Sequence, residues 1–538
     1  APVAELFYES GLGRASYVAP RGRIKGEVKL KRQFNITGGK LVQAYEVDLN
    51  IADEFLQAIL NEHKDVDTLH SIASSIQSEQ NKIIRNTADN FLIVQGEAGS
   101  GKTSVALHRV AYMLYREKNL DSSNILIFSP NSAFAGYISS VLPELGENNT
   151  REATFVRFTK RILKISADIE SQDEFADRCL GLDEAGRALA LEKLDMNIAK
   201  RMDEFLTRYC RELRFVGDLE VGANIMTERE LNNQLHENCI TDIILDRITN
   251  LTENIALSAG ISSPKALASL RENIVGRLNN SVKLTDIYNA FNAQVFGAAS
   301  LNDRINFEDA VLLCVMKGKI QSILVKMDVH HVVIDEAQDY PLIFLNFLVS
   351  IFPRAKFTVL GDGHQKTMPT KEDTLVALME TYSERANYIT LDRTYRSSEE
   401  IVTYAAKIIG VERHNAFRLK NNRPVLERKL EDFKDKVCED IRAFTRSGDK
   451  KIGIIVDSVA KARTVYKSLK TKLGANLGLV SDNEESSFAP IVVIPALLAK
   501  GLEFDGVMVL REGVLTSNIN LFYIACTRAI HALVVYQN

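Results

Sequence analysis

Short, uninterrupted apolar runs recur along most of the chain, each closed by polar or glycine-containing turns. They fall at 91–94, 124–128, 332–334, 357–360, 452–456, 491–494, 507–510 and 533–536. Runs this short, without polar alternation, predict strands covered on both faces, and the stretches between them carry helical spacing. Strands alternating with helices predict parallel sheets, here two of them. Residues 150–310 break the rhythm: they are mixed in charge and mostly helical, as in 185–213, with no buried-strand run. This stretch reads as a helical insertion within the first α/β domain. At the other end, 1–48 reads as a small β element. Within it 23–34 alternates, with Ile24, Val28 and Leu30 among charged neighbours, and Gly38 and Gly39 turn into 41–47. A helical pattern covers 50–90. The expected divisions are therefore 1–48, 49–149, 150–310, 311–388 and 389–538, an α/β fold with a helical insertion and no internal repeat.

Composition narrows the classes. The 538 residues are 46% hydrophobic, enough for about three domains with cores of their own. Charged residues make up 25% and the net charge is −4, so no basic field covers the whole chain. A local one exists between 21 and 40, where Arg21, Arg23, Lys25, Lys29, Lys31, Arg32 and Lys40 face Glu27 alone. A solvated strand face accounts for it, and a nucleic-acid contact is the other reading. Six cysteines without a C-x-x-C pair read as buried thiols of a reduced compartment. The nine histidines, His330 and His331 included, show no metal-ligand spacing. Neither a signal peptide nor an apolar span of ~20 residues is present, which predicts a cytoplasmic protein without a membrane partner. The start at Ala1-Pro2-Val3 suggests a processed or truncated product.

The most specific chemistry follows the apolar run at 91–94. Gly96-Glu97-Ala98-Gly99-Ser100-Gly101-Lys102-Thr103, with Ser104 next, is a G-x-x-x-x-G-K-[ST] loop between a strand and a helix. Its glycines let backbone N–H groups turn onto phosphates, and the helix start adds positive charge. Lys102 is expected at the β- and γ-phosphates and Thr103 on a magnesium ion, so ATP and Mg²⁺ are the expected ligands. A second run, 332–334, ends in Asp335 and Glu336. Asp335 suits the magnesium shell, and Glu336 suits a base that orients or deprotonates water.

Asp335-Glu336-Ala337-Gln338-Asp339 resembles the D-E-x-Q-D signature of superfamily 1 helicases of the UvrD/Rep type, and further motifs follow in that family's order. Gly361-Asp362-Gly363-His364-Gln365 resembles G-D-x-x-Q, Tyr395-Arg396-Ser397 resembles Y-R-S, Lys500-Gly501-Leu502-Glu503-Phe504 matches K-G-L-E-F, and Thr527-Arg528-Ala529 matches T-R-A. Gln80 stands 22 positions ahead of Lys102, where the family places an adenine-reading glutamine. The resemblance implies two RecA-like P-loop domains with ATP between them. It implies a γ-phosphate sensor at Gln365, arginine fingers at Arg396 and Arg528, and a ribose contact at Glu503.

The departures carry information too. After G-D-x-x-Q the family usually has aromatic residues that stack on bases, whereas this chain has Lys366-Thr367-Met368-Pro369-Thr370. Before K-G-L-E-F it usually has a T-x-H-x-x stretch at the nucleic acid, replaced here by Pro495-Ala496-Leu497-Leu498-Ala499. Arg396 and Lys500 are 104 positions apart, too close for the large accessory insert of helicases such as UvrD. Leu6-Phe7-Tyr8-Glu9, the stretch 26–32, Gln80-Asn81-Lys82-Ile83-Ile84-Arg85, Val94-Gln95-Gly96, Ala106-Leu107-His108-Arg109, Ser129-Pro130-Asn131 and 494–505 resemble the HelD family of RNA-polymerase-recycling ATPases. That resemblance implies a monomeric ATPase that binds RNA polymerase and releases it from stalled complexes, with an N-terminal coiled coil missing from this sequence. The insertion would then be the arm that enters the polymerase's main channel. The alternative is a helicase or translocase that moves on single-stranded DNA, with DNA or RNA as partner.

Overall fold

The computed structural model describes residues 12–46 (less 20, 21, 31, 38 and 39), 79–129 (less 118 and 119), 150–321 (less 223, 237–243 and 299), 328–411 (less 371), 423–481 and 489–538, with 6, 415–416 and 484–485. The helical pattern expected over 50–78, the segment Phe7-Tyr8-Glu9, Pro130, Asn131 and Cys239 lie outside the described residues.

Near the start, two antiparallel hairpins form: β1 (Gly13–Ala19) with β2 (Gly22–Val28), and β3 (Arg32–Thr37) with β4 (Lys40–Glu46). The alternating stretch 23–34 is thus split between two strands, because each half pairs with its own neighbour. In β2, Arg23, Lys25 and Glu27 lie on one face in register with Val18, Ser16 and Arg14.

The first large sheet has six parallel strands: β5 (Phe91–Gly96), β6 (Ile125–Phe128), β7 (Arg151–Ala153), β8 (His331–Ile334), β9 (Lys356–Gly361) and β10 (Ala386–Leu391). Their spatial order is β10-β5-β9-β8-β6-β7. Alternate residues feed two cores. Phe91, Ile93, Leu126, Phe128, Val332, Ile334, Phe357 and Val359 face one, and Leu92, Val94, Ile125, Ile127, Val333 and Leu360 the other. The helix Lys102–Arg116 covers the second face through Val105, Ala106, Val110 and Met113. Burial on both faces is why these strands read as apolar runs. The edge strand β10 is half-exposed and gives no such run; it crosses the expected division between 388 and 389.

Helices from Phe155–Leu163 to Phe307–Ile320 lie between β7 and β8. They pack with the first face of the sheet into one continuous core that joins Phe128, Phe155, Phe307, Phe344 and Tyr288.

The second sheet holds β11 (Leu426–Lys429), β12 (Ile452–Val456), β13 (Leu477–Ser481), β14 (Ile491–Pro495), β15 (Phe504–Leu510) and β16 (Ala529–Gln537). These six are parallel, in the order β11-β16-β15-β12-β14-β13, with the pair Glu484–Glu485 added antiparallel at the β13 edge. The α/β class with two parallel sheets is therefore as expected. Among the described residues five cysteines are unpaired: Cys179, Cys314 and Cys526 are buried, while Cys210 and Cys438 are half-buried. Among the described residues, no helix is long and apolar enough to cross a membrane.

Candidate active site

β5, β8 and β9 are neighbours, and each delivers its chemistry at its carboxyl end, the edge at which open parallel sheets bind ligands. The turn after β5 holds Gly99 at φ 77° and Gly101 at φ 78°, a region that glycine enters without steric cost. Lys102 opens the following helix and folds back over the turn, its Nζ donating to the carbonyls of Gly96 at 2.8 Å and Glu97 at 3.0 Å. An ammonium and a helix N-terminus thus share one concave loop, an arrangement that attracts anions. Ser100 Oγ is buried in the same loop with no hydrogen-bond partner, a polar atom suited to a phosphate oxygen.

Thr103 Oγ1 donates to Asp335 Oδ2 at 2.6 Å, joining the loop to the end of β8. Burial pushes the Asp335 carboxyl above its ordinary range, and the charge of Glu336 adds to the effect. Glu336 behaves oppositely. Burial works against its ionisation, but the cations of Lys500 and Lys102 outweigh it and hold the group below the usual carboxylate range. Two adjacent carboxylates driven apart in this way can take different roles, one toward a metal and one toward a proton. A hydroxyl beside a carboxylate is an oxygen donor set that suits magnesium, which keeps several other positions for water and phosphate. Among the described residues, no group of three or more His, Cys, Asp or Glu side chains is placed to hold a metal by itself.

Glu336 sits in the left-handed region at φ 52° and ψ 41°, which is costly for a residue with a Cβ. Three bonds hold the turn there. Its own N–H donates to Asp335 Oδ1 at 2.9 Å, Gln338 Nε2 donates to Glu336 Oε2 at 2.6 Å, and Gln338 Oε1 accepts from the Asp362 N–H at 3.0 Å. A Cβ on Gly361 would lie 2.6 Å from that Gln338 oxygen, so only glycine leaves room for the bridge. Beyond it, Gln365 Nε2 donates to Asp362 Oδ2 at 3.0 Å, while its Oε1 accepts from Arg528 Nη2 at 3.0 Å.

The second lobe closes against this edge. Thr394 Oγ1 donates to the Ala98 carbonyl at 2.8 Å, and the Tyr395 N–H donates to the Gly99 carbonyl at 3.2 Å. Gln80, 1% exposed, donates from Nε2 to Tyr395 Oη at 3.1 Å. Arg396 Nη1 meets Glu503 Oε1 at 2.9 Å, so these two share one wall of the cleft. A small pocket lies beside the loop, lined by Glu97, Ala98, Thr394, Ser397, Tyr523 and Thr527 among others.

Gln80, the loop from Gly96 to Ser104, Asp335, Glu336, Gln365, Arg396, Glu503 and Arg528 are therefore linked, directly or through one neighbour, around a single cleft. Lys500 is a participant whose chemistry the sequence left unassigned. The residue is 4% exposed, and its ammonium donates to the Gln365 carbonyl at 2.9 Å, lies 3.3 Å from Glu336 Oε2 and pairs with Asp339 Oδ2. Asp339 Oδ1 in turn accepts from the Thr367 N–H and Oγ1, both at 2.9 Å. Both residues sit inside recognisable motifs, so the signal was present; only their pairing required the fold.

Residues 76–367 match the UvrD/REP helicase N-terminal domain. Over 103 residues the chain is 33% identical to the ATP-dependent DNA helicase PcrA of two Staphylococcus epidermidis strains, ATCC 35984 and ATCC 12228, a stretch that is 19% of this chain and 14% of those relatives' length. Among solved structures, the C-terminal domain of a possible DNA helicase from Lactobacillus plantarum WCFS1 is 28% identical, covering 27% of this chain and 86% of that one with a TM-score of 0.22.

Proposed function

The chain belongs to the UvrD/REP helicase family, and from that premise we propose that it is an ATP-hydrolysing motor whose two lobes close on nucleotide and reopen after hydrolysis. The observation that carries this reading is the buried network across the cleft, in which Glu336 and Gln365 from the first lobe meet Lys500 and Arg528 from the second, with Asp335 tied to Thr103 beside them. The loop from Gly96 to Ser104 cradles the phosphates, Gln80 reads the adenine edge, and Glu503 takes the ribose. Thr103 and Asp335 would hold magnesium, which would supply positive charge toward the phosphates. Glu336, kept ionised by Lys500 and Lys102, orients the attacking water and accepts its proton. Arg396 and Arg528 neutralise charge that grows on the γ-phosphoryl group in the transition state. Arg528 already bonds to Gln365, so the sensor and the finger move together.

The work done by this engine, we propose, is the release of bacterial RNA polymerase from stalled nucleic-acid complexes. Two stretches support a protein rather than a single strand as the object moved. The residues after G-D-x-x-Q fold inward: Lys366 Nζ donates to the Thr370 carbonyl at 2.7 Å, Thr367 is tied to Asp339, and Met368 is 3% exposed. The residues before K-G-L-E-F are buried and apolar, with Ala496, Leu497 and Ala499 in the core of the second lobe. Neither offers a stacking platform or a polar grip for bases. Translocation on single-stranded DNA is the second reading, favoured by the family and by the PcrA likeness. ATPase assays with and without single-stranded DNA, an unwinding assay and RNA polymerase pull-down separate them. Polymerase binding with weak DNA stimulation is expected. Strong DNA stimulation with directional unwinding and no polymerase binding would leave the translocase reading standing alone.

A further inference from the structure

The insertion is not remote from the cleft. Its helix Gln172–Gly181 stands where three parts of the molecule meet. One side is locked to the insertion and to the helix Phe307–Ile320. Arg178 donates from Nε to Glu170 Oε1 at 2.7 Å and from Nη2 to Glu170 Oε2 at 2.9 Å and Glu308 Oε2 at 2.5 Å. Glu170 Oε2 also accepts the Phe307 N–H at 2.9 Å, and the Phe175 ring, fully buried, lies 5.0 Å from that of Phe307. A guanidinium shared by two buried carboxylates makes this a rigid attachment, because releasing any member leaves unpaired charge inside. The start of the helix reaches the D-E-A-Q-D turn: Gln172 Nε2, buried, donates to the Asp339 carbonyl at 2.9 Å. The remaining side faces the second lobe, where Ala176 belongs to the core of Ile401, Leu497, Leu521 and Phe522, and Leu180 packs against it.

We propose that Gln172 is a positioning residue for the ATP cleft, supplied by the insertion, and that its helix carries the position of the insertion to the contact between the lobes. Gln172 fixes the backbone of Asp339, whose carboxylate pairs with Lys500 of the second lobe, while Ala176 packs directly on that lobe four residues later. A partner that shifts the inserted helices therefore shifts both lobe contacts at once, and closure on nucleotide must move the insertion in return, since coupling between two sites is reciprocal. The inference rests on the reading of the chain as an ATPase and extends it to the regulation of that site.

Two measurements test it on the whole chain. The first is steady-state hydrolysis by Gln172→Leu, which keeps the bulk but removes the donor. A fall in kcat of about tenfold is expected, with KM for ATP unchanged because the lost bond goes to the Asp339 carbonyl and not to the phosphate loop. A change confined to thermal stability, with kcat at the parent value, overturns the inference. If the parent itself hydrolyses no ATP, the ATPase reading fails instead. The second needs no variant: amide exchange of the parent with and without ADP and aluminium fluoride. Slower exchange at residues 173–181 together with the loop is expected. Slower exchange in the loop while 173–181 stay unchanged overturns the coupling.

Discussion

Glu336 shows how far one residue's chemistry depends on its surroundings. Strand β8 ends in two carboxylates that differ only by one methylene, yet their environments drive them in opposite directions. Asp335 has burial and a neighbouring anion, whereas Glu336 has Lys500 and Lys102. The left-handed backbone at Glu336 is part of the arrangement, since it turns consecutive side chains to different partners, Thr103 on one side and Gln338 on the other. The cations around this pair lead to a residue-level prediction. Under the proposed mechanism Lys102→Ala is expected to abolish hydrolysis, because the ammonium that bridges the loop carbonyls is the charge assigned to the phosphates. Arg528→Ala lowers kcat by about 10³-fold while ATP affinity stays within a few-fold, because a finger acts on the transition state. Turnover and nucleotide binding, measured side by side, check this; an Arg528→Ala enzyme at the parent rate removes the finger from the mechanism.

At the scale of elements, the first sheet and its helix Lys102–Arg116 are pinned by buried polar groups as well as by apolar packing. Arg109, with no exposed surface, donates from Nε to Thr358 Oγ1 at 2.9 Å and from Nη1 to the Ile83 carbonyl at 2.7 Å. Burial lowers its pKa to about 10, so the guanidinium stays charged at neutral pH. His331 of β8 reaches the same Thr358 oxygen from Nε2 at 2.9 Å. Burial, with the charges of Arg109 and Lys356 adding, holds the His331 imidazole well below its ordinary range, so it is neutral in the fold. An unfolded histidine takes up a proton near pH ~6.5, and the folded one does not. Stability from this group is thus present above that pH and lost as pH falls below it, by up to ~1.4 kcal/mol per unit. Unfolding midpoints measured one unit above and one unit below pH ~6.5 are expected to fall less for His331→Gln than for the parent. Equal losses would show that another group carries the acid sensitivity.

For the molecule as a whole, the decisive feature is how closely the lobes approach at the phosphate loop. At Gly99 a Cβ would lie 2.7 Å from Thr394 Oγ1 and 2.9 Å from Arg396 Cβ, and φ is 77°. A methyl group there is expected to hold the lobes apart and displace Arg396. Gly99→Ala should therefore reduce kcat by tenfold or more, about what a displacement on the scale of an ångström costs a positioned catalytic group. Single-turnover hydrolysis and thermal unfolding measured together check it. Unaltered kcat would mean that the contact between Thr394 and the loop is off the reaction path. The insertion belongs to this scale as well. It shares the core of the first sheet through Phe155 and Phe307 and touches the second lobe through Ala176, so three segments far apart in sequence lie as neighbours.

The sequence by itself determined the parts whose information is contiguous. Strands buried on both faces announced themselves as apolar runs, and the phosphate loop, the paired carboxylates and the later motifs could be read because each needs a few neighbouring residue types. The edge strands β10 and β11 were not legible, since their exposed positions interrupt the apolar signal. Tertiary structure alone decided which distant groups meet: Lys500 with Asp339, Arg528 with Gln365, Gln80 with Tyr395 and Gln172 with the Asp339 carbonyl. The physical reason is that such pairs span more than a hundred positions, where no local periodicity or spacing constrains them and only the packing of both sheets and the insertion brings them into reach.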